Sequence, residues 1–189
     1  TLNSIKWMAT IQNAPGIAEM TTALARLMKN VSKGTDVRIS LREELDLVRD
    51  YFLIQQYRYG GSISIAYEIT DEALYHCQIH RFTLQPLVEN AVIHGLEPKE
   101  EGGTLILDVR RAGDYIRIRI CDNGMGMERE RLEKIRRRLS EKQPERIGVW
   151  NIWQRLSLYT GRDDSLKIMS KKGAGTIVSI YLHRGEEDV

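Results

Sequence analysis

The apolar residues of this chain change period near Gly60-Gly61, and that change dictates two kinds of structure. Before the glycines they recur at helical spacing: Leu2, Ile5 and Met8, then Ile17, Met20, Leu24, Leu27, Met28 and Val31, then Leu41, Leu45, Val48 and Phe52. After them they alternate with polar or small neighbours, as in Ile63, Ile65, Tyr67 and Ile69, in Leu105, Leu107 and Val109, in Ile116, Ile118 and Ile120, and in Val178, Ile180 and Leu182. The expected fold is therefore α+β. Residues 1–61 form a helical hairpin, and residues 62–189 form an α/β sandwich with an antiparallel or mixed sheet and helices near 83–95, 128–140 and 149–159.

Local signals sharpen this reading. Asn13-Ala14-Pro15-Gly16 interrupts the first helical stretch, and Lys33-Gly34-Thr35-Asp36 supplies the turn that ends the second. Ser40 followed by Glu43 is a capping box, which predicts a long helix from Leu41 to about Tyr59. Ala112-Gly113-Asp114 predicts a hairpin. The apolar stripes of the first half exceed what a lone hairpin can bury, so a homodimer joined as a four-helix bundle is expected.

A formal charge of +2 excludes a polycation, and no nucleic-acid partner is expected. Two cysteines, Cys77 and Cys121, are too few for a disulfide framework or a cysteine zinc site and suit a reducing, cytoplasmic setting. No stretch approaches the roughly 18 apolar residues of a membrane span. The chain starts at Thr1 without an initiator Met, so it is read as part of a longer protein whose anchor or sensor would lie upstream.

Chemistry concentrates in four segments. On the strand ending at Cys121, Asp122 continues the apolar face of Ile116, Ile118 and Ile120, where a carboxylate is costly unless a donor such as a purine amino group satisfies it. Asn123-Gly124-Met125-Gly126 follows, and its glycines let a flat ligand approach the backbone; the same residues also read as a plain turn at a strand end. In Leu84-Gln85-Pro86-Leu87-Val88-Glu89-Asn90-Ala91-Val92-Ile93-His94-Gly95, Asn90 and His94 share a face one turn apart. The Asn90 amide oxygen suits Mg²⁺, Glu89 can accept a proton and His94 can donate to a phosphate, although such residues also make an ordinary wet helix face. Ile147-Gly148-Val149-Trp150-Asn151 and Lys172-Gly173-Ala174-Gly175-Thr176 offer backbone N–H groups to a phosphate or simple turns. His76 and His80, four apart, lack a third metal ligand and are expected at the surface. Glu128 to Arg146 holds eight basic and five acidic residues, read as a solvated face and mobile lid or as arginines that meet phosphates or an acidic partner.

In chain order these four segments resemble the Bergerat nucleotide fold shared by gyrase, heat-shock chaperone, histidine kinase and mismatch-repair ATPases. The Leu84 to Gly95 segment, with Arg155-Leu156-Ser157-Leu158-Tyr159-Thr160-Gly161, is most similar to sensor histidine kinases of the LytS/YesM type. Thr1-Leu2-Asn3-Ser4-Ile5 resembles the continuation of the family's phosphoacceptor segment, which would place the acceptor His about five residues before Thr1. The resemblance implies a dimeric kinase that binds ATP with Mg²⁺ and passes phosphate to that His and then to an Asp of a response regulator receiver domain. It implies that Asn90 holds Mg²⁺, Glu89 acts as base and Asp122 reads the adenine amino group. Gly124 and Gly126 would flank the base, His94 and Asn151 would face the triphosphate, Gly148 would start the lid's closing turn, and Gly175 and Thr176 would border the adenine pocket. Arg146 stands where the family has the first glycine of Gly-x-Gly. Two other readings stand beside this one: an ATP-driven dimeric clamp of the gyrase or mismatch-repair type, and a non-catalytic dimerising module with a vestigial nucleotide site.

Overall fold

The computed structural model describes residues 1–32, 34, 38–142 and 148–183. Lys33, Thr35 and Asp36 of the expected turn, and Arg146 and Ile147, lie outside the described residues. Three helices come first: α1 (Leu2–Ile11), α2 (Pro15–Val31) and, after the short strand β1 (Arg38–Ser40), α3 (Leu41–Arg58). Pro15 sits in the first turn of α2, where its missing N–H costs nothing. The Ser40 hydroxyl accepts the Glu43 amide while the Glu43 carboxylate accepts the Ser40 amide at 2.9 Å, so the capping box forms as expected.

The second half contains β2 (Ile63–Ile69), β3 (Gln78–His80), α4 (Gln85–Asn90), β4 (Gly103–Ala112), β5 (Tyr115–Asp122), α5 (Arg129–Ser140), α6 (Gly148–Thr160), β6 (Leu166–Lys171) and β7 (Gly175–His183). α4 continues into a π-helical turn over Ala91–Leu96. The main sheet has the order β2-β4-β5-β7-β6, and it is mixed: β2 runs parallel to β4 and the other pairs are antiparallel. β1 and β3 form a separate antiparallel pair. His76 ends a 3₁₀ turn and His80 lies in β3, so the two never share a helix face. The surface position expected of His80 is corrected, since its half-buried ring stacks on Tyr159 with centroids 3.4 Å apart.

One face of the sheet carries Leu105, Leu107, Val109, Ile116, Ile118 and Ile120, all buried in one core cluster with residues of α3, α4 and α6. α3 belongs to this core: Leu41, Leu45, Val48 and Phe52 are at most 1% exposed. α1 and α2 differ, for Trp7, Met8, Ile11, Ile17, Leu24, Met28 and Val31 all face solvent. On the outer face of the sheet Asp108 is buried among arginines, accepting from Arg110 Nε at 2.5 Å and Arg119 Nε at 2.9 Å. Burial opposes its ionisation, yet these partners hold its carboxyl below the usual range.

Because Phe52 joins α3 to the sheet core, Phe52→Ala should cost about 3–5 kcal/mol, seen as a lower urea midpoint with an unchanged slope.

Candidate functional site

The site is built where β5 ends beneath α4. Period-two alternation buries Ile116, Ile118 and Ile120, and Asp122 follows on that face at 8% exposure, opposite Thr176 of β7. Its Oδ1 accepts the backbone amides of Gly124 at 2.9 Å and Thr176 at 3.3 Å. Burial pushes the Asp122 carboxyl above the usual carboxylate range, and these amide bonds oppose the shift. The Asp122 face is thus an acceptor set into an apolar wall.

Close backbone contact explains the glycines. A Cβ on Gly124 would lie 2.1 Å from the Gly95 carbonyl oxygen, and one on Gly95 would lie 2.7 Å from Asp122 Oδ1. The Met125 amide donates to that Gly95 carbonyl at 2.9 Å, so the loop after β5 is pinned to the π-helical turn by main chain alone. Gly175, at φ 94°, similarly leaves room for the Asp122 carbonyl, which a Cβ would meet at 1.9 Å. Ser170 Oγ accepts the Met127 amide at 2.9 Å and contacts Thr176 Oγ1 at 2.9 Å, which ties the end of the loop and the start of β7 to β6.

Between α4, the sheet and α5 lies a cavity of about 100 Å³. Leu87, Ala91, Ile120 and Val178 give it apolar walls, while Asn90, His94, Asp122 and Thr176 supply polar groups. Few polar groups in an apolar cleft is the usual character of a small-molecule site. Of the residues expected from sequence, Asn90, His94, Asp122, Gly126 and Thr176 meet there. Gly124 and Gly175 stand behind it as backbone seats. Glu89 turns aside and accepts from Gln85 Nε2 at 2.8 Å. Gly148 opens α6, and Asn151 is exposed one turn further on.

Met127, Arg131 and Ile135 also line the cavity and were not singled out from sequence. Arg131 and Ile135 share a face of α5, a helical spacing hidden within a run of basic residues. Arg136, by contrast, donates to the Ile168 carbonyl through Nε at 3.0 Å and a terminal nitrogen at 2.6 Å, joining α5 to β6. Among the described residues no group of three His, Cys, Asp or Glu could hold a metal ion. The buried amide nitrogen of half-buried Asn90 has no hydrogen-bond partner, so its amide is not committed elsewhere. One amide oxygen at the wall suits an ion that takes its other ligands from water and a bound polyphosphate, as Mg²⁺ does.

The histidine kinase family matches residues 1–63, and the histidine kinase-, DNA gyrase B-, and HSP90-like ATPase family matches residues 79–186. Sensor histidine kinase YesM of Bacillus subtilis is 34% identical over 182 residues, covering 96% of this chain and 30% of that protein. Sensor protein kinase HptS of Staphylococcus aureus is 29% identical over 194 residues, covering 100% of this chain and 36% of that one. The chain therefore spans about a third of the length of these curated relatives. Among solved structures, the histidine kinase domain of the blue-light activated kinase of Erythrobacter litoralis superposes with a TM-score of 0.54 at 18% identity, covering 99% of this chain and 87% of that one. The catalytic domain of histidine kinase ThkA gives 0.55 at 15% identity, covering 78% and 96%. These structural likenesses establish the mixed α+β fold.

The raised pKa of Asp122 sets a sign. Its contribution to stability is full below the ordinary carboxylate pKa of about 4 and is lost as pH rises through the higher folded value. Asp122→Asn keeps an oxygen for the Gly124 and Thr176 amides and removes the charge. Melting curves at pH 4 and pH 7 should therefore show a higher Tm for the variant at pH 7 and a smaller difference at pH 4, with about 2–4 °C for each kcal/mol relieved.

Proposed function

The chain belongs to the sensor histidine kinases, with an ATPase domain of the histidine kinase, gyrase B and HSP90-like family, and from that premise we propose that it binds Mg-ATP and transfers the γ-phosphoryl to a histidine. The observation that carries the proposal is Asp122, a buried carboxylate held by two backbone amides at the wall of an apolar cavity. An acceptor so placed matches the exocyclic amino group of adenine, and Gly126 and Thr176 border the same base. Gly124 serves the base by seating the loop, and Gly175 by seating Asp122.

Asn90 would hold Mg²⁺ through its amide oxygen, and the ion would neutralise phosphate charge. His94 and Arg131 from the cavity rim, with Asn151 beyond, supply donors to the triphosphate. Gly148, at the start of α6, gives the lid its closing turn. Glu89, oriented by Gln85, accepts the proton that the acceptor imidazole loses as its nitrogen bonds to phosphorus and ADP leaves. Little covalent chemistry falls to the protein, and positioning does most of the work.

The four histidines of the chain, His76, His80, His94 and His183, lie off α1, α2 and α3. We place the acceptor upstream of Thr1 in the longer protein, with a response regulator Asp as the next recipient. The exposed apolar residues of α1 and α2 suit a homodimer through a four-helix bundle. The histidine kinase match over residues 1–63 favours this reading over a DNA clamp. No described helix is long and apolar enough to cross a membrane, and we assign any anchor to the remainder of the longer protein, with this portion cytoplasmic.

Calorimetry tests the site. Asp122→Ala should abolish measurable ADP binding, whereas Asn90→Ala should weaken Mg-ADP about tenfold, or about 1.4 kcal/mol, and leave ADP in EDTA almost unchanged. Undiminished affinity in Asp122→Ala would refute the adenine assignment. Radiolabelled ATP tests the activity: this chain should take up no stable label, and the longer protein with its upstream His should gain an acid-labile, base-stable one that Asn90→Ala removes.

A further inference from the structure

Glu44 lies near the start of α3, fully buried, yet no part of the site described above touches it. Its carboxylate is engaged by main-chain amides rather than by a cation: Oε2 accepts from Phe82 N at 3.0 Å and Oε1 from Leu84 N at 2.9 Å. Desolvation raises its pKa and these amides oppose the rise. A buried carboxylate is expensive, and here both of its oxygens are spent on one turn of another segment.

That turn launches α4. Leu84, the residue before the helix, makes no side-chain cap of its own, so the cap comes from α3. Phe82 is held at φ 59°, a left-handed conformation that a bulky side chain adopts only when its surroundings impose it. The opposite side of the turn is gripped by α6, whose Arg155 donates to the carbonyls of Arg81 at 2.8 Å and Phe82 at 3.3 Å. Residues 81–84 are therefore bolted to α3 through their amides and to α6 through their carbonyls. From Leu84 the helix runs without a break to Asn90 and His94, while Asp122 belongs to β5.

We propose that Glu44 is a positioning residue: it fixes the launch of α4 to α3, so that nucleotide bound between Asn90 and Asp122 and the packing of α3 are energetically coupled. The inference rests on the nucleotide reading above and deepens it. If α3 shifts, Glu44 carries the start of α4 with it and changes the distance between the Asn90 and Asp122 walls. By linkage, a nucleotide that spans both walls must tighten α3 to the same degree.

Two measurements decide this. Glu44→Gln keeps the size and one acceptor oxygen but sets an NH₂ against a backbone N–H. By calorimetry it should weaken Mg-ADP about tenfold, within the usual range of coupling energies, while ADP in EDTA, read through Asp122, changes by less than about twofold. In the unsubstituted chain, saturating Mg-ADP should slow hydrogen exchange at the amides of Phe82 and Leu84 and across residues 45–48 of α3 by a larger factor than in β2, where the slowing reports only the overall stabilisation that any bound ligand gives. A purely structural Glu44 would lower the melting temperature of the variant while leaving the ratio of the two affinities unmoved and slowing exchange at residues 45–48 no more than in β2, and that result overturns the proposal. If Glu44→Gln does not fold, the exchange experiment on the unsubstituted chain decides alone. Failure of the unsubstituted chain to bind Mg-ADP at all would instead remove the nucleotide reading, and the coupling with it.

Discussion

Two glycine backbones in contact set the geometry of this domain's centre. With no Cβ on Gly124, the loop after β5 reaches the Gly95 carbonyl, and with none on Gly95 the Asp122 carboxylate fits beneath α4. The π-helical winding of Ala91–Leu96, closed by the Glu97 amide on the Val92 carbonyl at 2.8 Å, leaves Gly95 O for the Met125 amide. The C-terminal end of the helix bearing Asn90 is thus registered on the strand bearing Asp122 by main chain, while the start of that helix is set by Glu44 and Arg155. His94 and Asp122 face the cavity from the two sides of that contact.

The buried acids divide into two kinds. Asp50 pairs with Arg26 at 2.7 Å, and Asp108 is ringed by Arg110, Arg117 and Arg119. Those carboxylates are neutralised by cations and serve packing on the helical hairpin and the outer sheet face. Asp122 and Glu44 are satisfied by amides, which supply geometry without a counter-charge. Glu44 joins α3 to the launch of α4, and Asp122 stands in the cavity wall that this helix faces. A backbone amide moves only with its own segment, so a displacement of α3 at Glu44 is passed to the turn that launches α4.

Much of this was legible in the sequence. The period change at Gly60-Gly61, the capping box at Ser40 and the parity of Asp122 each translate directly into a structural position, because each rests on a local rule. β1 and β3 were not foreseen, since three-residue strands are too short to display alternation. β6 was hidden because Met169 puts an apolar side chain on its exposed face. In the cavity Asn90, His94, Asp122 and Thr176 were foreseen one by one, whereas Arg131 was legible only as one of the basic residues of 128–146 and Ile135 not at all. Arg131 and Ile135 matter only through where α5 packs, which no local rule specifies. Glu44 escaped notice for the same reason: within its helix it reads as one more first-turn acid, and only the distant amides of Phe82 and Leu84 give it a role.

The parallel pairing of β2 with β4 places α4 inside a crossover, residues 70–102, rather than in a hairpin loop. A hairpin such as β4–β5 can close from nearest neighbours, but a crossover must wait until its two flanking strands meet. The helix with Asn90 is then seated between a strand that precedes it and one that follows, and β7 must still arrive from the far end of the chain to bring Thr176 to Asp122. The binding cleft is consequently complete only where β2, β4, β5 and β7 are all paired, and its integrity reports that pairing.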